Sequence, residues 1–441
     1  MKSSNKIKHR AIIAAMFSVL SATAAAQDSG FTSIDELFSL VDTHSKSVIR
    51  AVASQSTAEA AMDAAKNAKL PDINISVSGS YSGNPVMMDR DFSNSTTLHG
   101  PHWGNSAALT VRQIVYGGGA INSSIELANL GKEMAGYDLE NERQRVKFMI
   151  AGYYLDLYKF YNLLSVCEKN ISRTNQVISD MKAKEQQGTA LPNDVTRYEV
   201  QLQNLLYRKT EINSQIEVLN NQIVTMLALD NGTQIKPDTT LSAQVLEHYE
   251  ASQLQEQALQ NRPALKAGET AVELSRTEQK LVKSDKLPKV VVLAEDHFNG
   301  PITFELPPID KNLNTWFVGV GVSYNIGSLY KTNKDITRSS RKISEAESRL
   351  DENKERVSLE VYQALVHYNN SFELVRTQEK SLQLAEENYN VVENRYKNDL
   401  AVIIDLLDAD NLRQDAEIQL INAKINSILQ YYRLKFVTGT I

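Results

Sequence analysis

The sequence predicts an α+β membrane protein built as two tandem structural repeats, each with a pair of β-strands followed by a very long helical hairpin. Three observations predict this class. Apolar residues recur at heptad-like spacing over long segments, shorter segments ahead of them alternate between apolar and polar residues, and the entire pattern occurs twice. A long hairpin cannot bury its apolar stripe alone, so the pattern also predicts assembly.

The first 26 residues have the features of a secretory signal peptide. Four basic residues between Lys2 and Arg10 precede the apolar segment 11–20, and alanines at 24–26 supply the small residues at which such a peptide is cut. The apolar segment is only about half the length needed to cross a bilayer, so a retained anchor is the less favoured alternative. We therefore expect residues 1–26 to be a signal peptide and the mature chain to leave the cytoplasm.

Charge and composition argue against several classes of function. Without residues 1–26 the chain has 43 basic and 53 acidic residues, and this net charge of −10 argues against binding to nucleic acid. The sole cysteine, Cys167, lies in a helical pattern, which predicts a buried free thiol and no intrachain disulfide. The sequence has no phosphate-binding glycine loop, paired-histidine metal motif or nucleophile elbow, so we expect no catalytic residues, no cofactor and no metal site.

The first repeat is predicted over 27–229. Leu70 and Pro71 end a helix, and the alternation of apolar and polar residues after them predicts a strand over about 72–82. A second strand is predicted over about 106–116, where SAALTVRQIVY precedes three glycines. These two strands have the length and alternation of membrane barrel strands with one lipid face and one lumen face.

A helical hairpin is predicted to complete the first repeat over 119–229. Its first part lacks proline from 119 to 187, and its tip is predicted near 188–194, where Gly188 permits a tight turn and Pro192 can start a helix. The second helix has apolar residues at alternating spacings of three and four, which predicts a coiled-coil seam. The residues of this seam are Val195, Tyr198, Leu202, Leu205, Ile212, Ile216, Leu219, Ile223 and Met226.

The second repeat is predicted over 261–441, after an inter-repeat linker at 230–260. It has the same order of elements: strands at about 289–298 and 316–326, and a helical hairpin over 328–436 with its tip near 398–405. Corresponding landmarks lie at nearly constant separations, which are 217 positions for Leu70 and Leu287, 209 for Gly118 and Gly327, and 211 for Asp194 and Asp405. Such spacing indicates a duplicated structural unit.

Four strands per chain predict an oligomer. The smallest membrane barrels need about eight strands, and lipid does not tolerate an open strand edge. Helices as long as those predicted would extend about 100 Å at 1.5 Å per residue. The natural assembly of such chains is therefore a composite barrel that continues as a helical tube.

The mature sequence resembles the TolC family of outer membrane efflux proteins over nearly all of its length. The resemblance is carried by the Leu-Pro pair before the first strand of each repeat, the turn QIVYGGGA, the segment NRPAL at 261–265 and the tip pattern DLLDAD. It implies a homotrimer whose twelve-stranded barrel, four strands per chain, lies in outer membrane lipid and continues as an α-helical coiled-coil tunnel in the periplasm. It also implies docking onto a periplasmic adaptor (membrane fusion) protein and an inner membrane transporter.

Asp405 and Asp408 are the candidate aperture and selectivity residues. A helix places positions i and i+3 on one face, so their carboxylates would lie side by side. On their own they fit a solvated polar face at a hairpin end. The resemblance implies instead that the second tip lines the periplasmic aperture, where three copies would surround the axis with carboxylates that attract cations and repel anions.

Three further residues are candidates for a tip network or a gate. Asp194 occupies the corresponding place in the first hairpin, where it either caps the following helix or joins the tip network. Arg395 and Tyr396 either hydrogen-bond between neighbouring hairpins and close the tube, or pack as ordinary interhelical residues. Some TolC family members have a basic residue at the position of Ala401, so the chemistry of a closing latch stays open.

The resemblance implies that the hairpin tips dock onto the adaptor. The residues expected at this surface are Gly188, Thr189, Ala190, Leu191, Leu400 and Ala401. The predicted function is a passive exit duct of a tripartite efflux or type I secretion system, opened at its periplasmic tip by the adaptor and the pump. The alternative is an exported periplasmic coiled-coil adaptor or structural protein.

The connection between the first two strands contains side chains of the kind that bind soft metals, namely Met87, Met88, His99 and His102. Their spacing matches no compact metal site, so we predict no metal role for this extracellular loop. Tyr81 and Trp103 at its ends fit an aromatic girdle at the membrane surface better.

Overall fold

A computed structural model describes residues 32–238, 249–303, 309–398 and 400–441, so the predicted signal peptide at 1–26 lies outside the described residues. The elements up to the first hairpin are α1 (Ile34–His44), α2 (Lys46–Lys66), β1 (Asp72–Tyr81), β2 (Val86–Met87), β3 (Thr96–Thr97), β4 (Trp103–Tyr116), α3 (Ala120–Gln186) and α4 (Pro192–Met226). The later elements are α5 (Ala251–Asn261), α6 (Pro263–Ser284), β5 (Lys289–Gly300), β6 (Leu313–Ser323), α7 (Ser328–Lys397) and α8 (Ile403–Thr438).

The chain divides into two compact units. The tip unit consists of the described residues within Met1–Leu40, Ile150–Leu246 and Leu374–Ile428, and it contains both hairpin tips. The sheet unit consists of the described residues within Val41–Met149, Glu247–Glu373 and Leu429–Ile441. Within the described ranges, no helix combines the length and the hydrophobicity that a membrane crossing requires.

The sheet unit contains a four-stranded antiparallel sheet in the order β1-β4-β5-β6. Residues paired directly across antiparallel strands have their side chains on the same face of the sheet. The register pairs Ile75 with Leu109 and Val292 with Val320, and all four side chains are on the same face of the sheet. Strands β2 and β3 form a separate small hairpin in the connection between β1 and β4.

Two strands have boundaries that differ from the predicted ones. Strand β4 begins at Trp103, three residues before the predicted start, and β6 covers Leu313–Ser323 rather than 316–326. The alternation of apolar residues continues past Ser323, but Asn325 forms a turn: its side-chain oxygen accepts from Gly327 N at 3.1 Å, and its carbonyl accepts from Ser328 N at 3.0 Å. Asparagine favours such turns, which ends the strand before α7.

The turn between β4 and α3 depends on a glycine. Gly118 has a φ of +65°, a region that residues with a Cβ rarely adopt. A Cβ placed at this position would lie 2.7 Å from the Cβ of Leu287 and 2.7 Å from the carbonyl oxygen of Ser284. The middle glycine of QIVYGGGA thus permits both the bend and the close approach of the segment that precedes β5.

The helices of the sheet unit pack around an apolar core. Its fully buried members come from α5, α6, α7 and the end of α8, and include Leu265, Val361, Tyr368 and Leu434. Because a buried side chain of this size contributes about 1.5–3 kcal/mol, this core stabilises the packing of these four helices against one another.

Candidate functional site

The two hairpin tips have the same backbone construction. In the first tip, Thr189 N donates to the carbonyl oxygen of Lys184 at 3.0 Å. In the second, Leu400 N donates to the carbonyl oxygen of Arg395 at 2.8 Å. Both donors and both acceptors lie 211 positions apart in the chain. The duplicated sequence therefore folds into two equivalent turns.

The helix after each tip begins with the same capping arrangement. Asp194 Oδ2 accepts from Leu191 N at 3.4 Å, and Asp405 Oδ2 accepts from Val402 N at 3.3 Å. A carboxylate in the first helical turn satisfies an otherwise unpaired N–H and interacts favourably with the positive end of the helix dipole. Asp405 thus has a structural role in its own chain, in the same way as Asp194.

Asp405 and Asp408 are both exposed on the first turns of α8. The helix places them three positions apart on one face, so two carboxylates lie close together on the surface of the tip unit. Asp410, two residues further on, is buried instead. The acidic segment thus divides into a surface pair and a core residue.

Arg395 and Tyr396 contact different partners. Arg395 is exposed, and its Nη2 donates to the carbonyl oxygen of Leu400 at 3.3 Å, within its own hairpin. The Tyr396 ring lies 4.8 Å from Lys184 Nζ, which belongs to the first hairpin. This cation–π contact joins the two tips of one chain, and contacts of this kind contribute about 0.5–1 kcal/mol at exposed sites.

The ends of both tips expose apolar side chains. Leu191 and Leu400 are each 67% exposed, and Val402 is 61% exposed. Ala190 and Ala401 are half-buried beside them, and Gly188 adopts a φ of +78° that suits the turn. Large apolar side chains at the end of an ordered turn are typical of a protein-binding surface.

Beneath the tips, the two hairpins share one apolar core. It consists of Ile178, Met181, Val195, Tyr198, Tyr389, Ile403, Leu406 and Ala409, contributed by α3, α4, α7 and α8. Met181 and Tyr198 are almost completely buried. Because every one of the four hairpin helices contributes, this core fixes one tip against the other within a chain.

Comparisons with known proteins agree with this architecture. The sequence model of the outer membrane efflux protein family matches residues 254–440. The outer membrane efflux protein BepC of Brucella suis biovar 1 (strain 1330) is 21% identical over 340 residues, which cover 76% of this chain and 72% of that protein. The match to this family model thus covers mainly the second repeat of the chain.

Solved structures confirm the predicted fold of this chain. The outer membrane protein VceC of Vibrio cholerae is similar over 92% of this chain and 96% of its own, with a TM-score of 0.75 at 16% identity. The Campylobacter jejuni outer membrane channel CmeC is similar over 92% of this chain and 85% of its own, with a TM-score of 0.75 at 15% identity.

The chain also contains a buried polar cluster below the tips, which the sequence did not predict. Arg413 Nη2 lies 2.7 Å from Asp410 Oδ1 and donates to Asn170 Oδ1 at 3.0 Å, while Gln414 Nε2 donates to Asp410 Oδ2 at 2.9 Å. The Arg413 and Asp410 side chains are only 8% and 6% exposed. These four residues and Tyr389 are named the Arg413 cluster. It joins α8 to α3, and thus one hairpin to the other.

Tyr389 lies between two guanidinium groups. The centre of the Arg413 guanidinium is 5.2 Å from the ring and that of Arg173 is 5.4 Å away. Burial raises the pKa of Tyr389 to about 12, so its phenol stays neutral at physiological pH. Its hydroxyl donates to Glu393 Oε1 at 3.4 Å. The ring therefore presents a neutral π face to both cations.

One local signal for the Arg413 cluster exists in the sequence. Asp410 and Arg413 are three positions apart, a helical spacing that permits an ion pair. Asn411, which interrupts the apolar seam of α8, accepts a hydrogen bond from Gln201 of α4 at 3.0 Å. Polar residues inside a coiled-coil seam commonly set register, and here they pair across the hairpins.

The residues considered for a soft-metal site are separate from the tips, in the connection between β1 and β4. His102 Nδ1 lies 2.9 Å from the carbonyl oxygen of Ser82, and its ring stacks on Tyr81 at a centroid distance of 5.5 Å. The Tyr81 ring also meets Trp103 at 5.2 Å in an edge arrangement. These contacts pack the strand ends of β1 and β4 together.

Proposed function

We propose that three copies of this protein form the outer membrane exit duct of a tripartite efflux or type I secretion system. In this role the chain is a passive conduit, and a periplasmic adaptor together with an inner membrane transporter opens the duct at its periplasmic tip. The observation that carries the proposal is the four-stranded sheet, which exposes two unpaired edges and one apolar face in a single chain.

The open edges support assembly. Strands β1 and β6 each have a neighbour on one side only in the four-stranded sheet. An unpaired strand edge in lipid leaves backbone N–H and C=O groups unsatisfied at a cost of several kcal/mol each, so an outer membrane sheet must close. Pairing β6 of one copy with β1 of the next closes the sheet, and three copies supply twelve strands.

One face of the sheet has the composition of a lipid-facing surface. The register places Ile75, Val77, Val318 and Val320 on this face, and all four are between 67% and 78% exposed. Trp316 on the same face is 74% exposed. An apolar area of this kind is unfavourable in water but matches the outward band of a membrane barrel.

The tips support two further assignments. Asp405 and Asp408 are exposed together, so a threefold arrangement of the tips would gather six carboxylates around the periplasmic aperture and favour cations there. Asp194, Arg395 and Tyr396 would stabilise the arrangement of the tips, Asp194 as a helix cap and Tyr396 through Lys184.

The exposed apolar ends of the tips would dock onto the adaptor. The proposed docking residues are Gly188, Thr189, Ala190, Leu191, Leu400 and Ala401. Their equivalent positions in the two repeats would give an adaptor similar binding surfaces at both tips of each chain, because Ala190 and Ala401 are 211 positions apart.

Membrane fractionation and single-channel recording test the proposed function. We expect the protein in the outer membrane fraction, extractable only with detergent as a trimer, and we expect the trimer to form ion-conducting pores in planar bilayers. A soluble periplasmic protein, or a detergent-extracted monomer without pore activity, would contradict the proposal.

A matched pair of variants tests the lipid-facing assignment. Val318→Lys places a charge on the apolar face of β6 and is expected to cost about 2–4 kcal/mol per chain in the membrane, which would sharply reduce the trimer in outer membrane fractions. Gly319→Lys introduces the same side chain at the next residue, on the opposite face, where a Cβ meets nothing within 4 Å. We expect Gly319→Lys to assemble normally. Equal loss of trimer from both variants would contradict the assignment of the two faces.

A further inference from the structure

The face of the sheet opposite the apolar one carries charged side chains. The residues on this face are Asp72 on β1, Arg112 on β4, and Lys289, Glu295 and His297 on β5. The described facing residues of β6 between Leu313 and Ser323 are uncharged. Under the proposed function this polar face lines the lumen of the barrel, so these groups are presented to the passing ions.

Glu295 and His297 form a pair on this face. They are two positions apart in β5, so both side chains are on the same side of the strand. His297 Nε2 lies 2.9 Å from Glu295 Oε2, and both side chains remain partly accessible. Across the strands, Thr110 and Phe317 pair with Glu295, while Ala108 and Thr315 pair with His297. None of the residues paired directly with Glu295 or His297 on β4 and β6 is therefore charged.

The other charged groups of this face lie closer to the start of β5. Arg112 pairs with Leu293 on β5 and with Asp72 on β1, which places a cation beside an anion. Lys289 Nζ lies 4.0 Å from Asp285 Oδ1, just before the strand begins. Asp296 belongs to the opposite, apolar face, where it accepts a hydrogen bond from Asn314 Nδ2 at 2.6 Å. The Glu295–His297 pair is therefore the charged feature of this face that lies furthest from the start of β5.

We propose that His297, paired with Glu295, is a selectivity-determining residue of the pore, because its protonation adds one positive charge per chain to the lumen wall. This inference rests on the proposed function. An imidazole ordinarily changes its charge between about pH 5 and pH 8, whereas arginine and lysine keep theirs throughout this range. In a trimer the wall gains three positive charges on acidification, which disfavours cations and favours anions.

Reversal potentials in planar bilayers under a KCl gradient test this inference. Every protein compared in this experiment carries Asp405→Asn and Asp408→Asn as a common background, so that the tip acids do not contribute to the pH response. Between about pH 7.5 and pH 5 we expect the cation preference of this background to fall by about twofold, since fixed charges on a wide pore wall are partly screened by salt. With His297→Gln the change should disappear.

Two further variants make the result specific. His99→Gln removes an exposed imidazole from the connection between β1 and β4, outside the sheet, and should leave the pH response unchanged. His297→Lys should give the low cation preference at both pH values. A pH response that persists in His297→Gln, or is absent from the background, would overturn the inference. If no variant forms pores, the proposed function itself is wrong and the inference falls with it.

Discussion

Replacement of Asp410 by alanine is expected to speed hydrogen exchange in the tip helices by about tenfold or more, because the buried Arg413 guanidinium loses the closer of its two carboxylate partners and keeps only Glu417 Oε2, 3.5 Å from Nη1. Removing one partner of a buried ion pair typically costs about 3–5 kcal/mol when the remaining charge is left unpaired, and the partly accessible Glu417 offsets a part of that cost here. Among the described residues, the buried Nε of Arg413 has no hydrogen-bond partner. Asn170 Oδ1 and Glu417 Oε2 are the acceptors that remain for the guanidinium.

The measurement is hydrogen–deuterium exchange of the detergent-solubilised protein, followed in peptides from α3 and α8 around Asn170 and Arg413. Local opening in these helices is the process that the exchange rate reports. Asp408→Ala is the matched control, because the same change is made on the exposed face of the same helix and is expected to alter stability by less than about 0.5 kcal/mol.

A double variant separates the loss of pairing from the loss of packing. Asp410→Leu with Arg413→Leu removes both charges and is expected to recover most of the protection, because apolar replacement of a buried ion pair is often neutral or stabilising. Exchange in Asp410→Ala as slow as in Asp408→Ala would contradict the structural role of the Arg413 cluster.

Replacement of Asp405 and Asp408 by asparagine is expected to lower the cation preference of the pore severalfold and to weaken its block by multivalent cations. Six carboxylates around a narrow mouth concentrate cations, and asparagine removes the charge with little change in shape. The side-chain oxygen of asparagine can accept the same hydrogen bond from Val402 N, so the tip should still fold.

Asp194→Asn is the matched control for this experiment, because Asp194 caps the equivalent helix in the other tip. Planar bilayer recordings of assembled trimers give both quantities, selectivity from the reversal potential and block from the current at increasing multivalent cation concentration. Unchanged selectivity and block in Asp405→Asn/Asp408→Asn would refute the aperture assignment. An equal effect of Asp194→Asn would show that the response does not come from the second tip alone.

Most of the fold was predictable because its signals are local. The absence of proline and the spacing of apolar residues indicated α3, which extends from Ala120 to Gln186. Alternation indicated the four sheet strands, and the duplication of landmarks related the two hairpins. The end of β6 was misplaced because Tyr324 and Ile326 continue the alternation while Asn325 already forms the turn before α7.

The candidate site was less predictable because its contacts join distant parts of the chain. Arg413 and Asn170 are 243 positions apart, so no pattern within one helix could indicate their hydrogen bond. The spacing of Asp405 and Asp408 predicted a shared face, but it could not show that Asp405 also accepts from Val402 N as a cap. The sequence pattern of one chain likewise does not indicate which strands pair with β1 and β6 in an assembly.

Disulfide cross-linking between β1 and β6 tests the central claim, a barrel shared by three chains, most directly. With the buried Cys167 replaced by serine, one cysteine is introduced at Ser76 on β1 and a second at each position of β6 from Thr315 to Gly321 in turn. Disulfides form only when the Cβ atoms approach to about 3.5–4.5 Å, so only neighbouring edge positions react. We expect at least one pair to give cross-linked dimers and trimers from outer membranes and no larger species, because the ring closes at three. Monomers at every position, or a ladder that continues beyond three chains, would contradict the account.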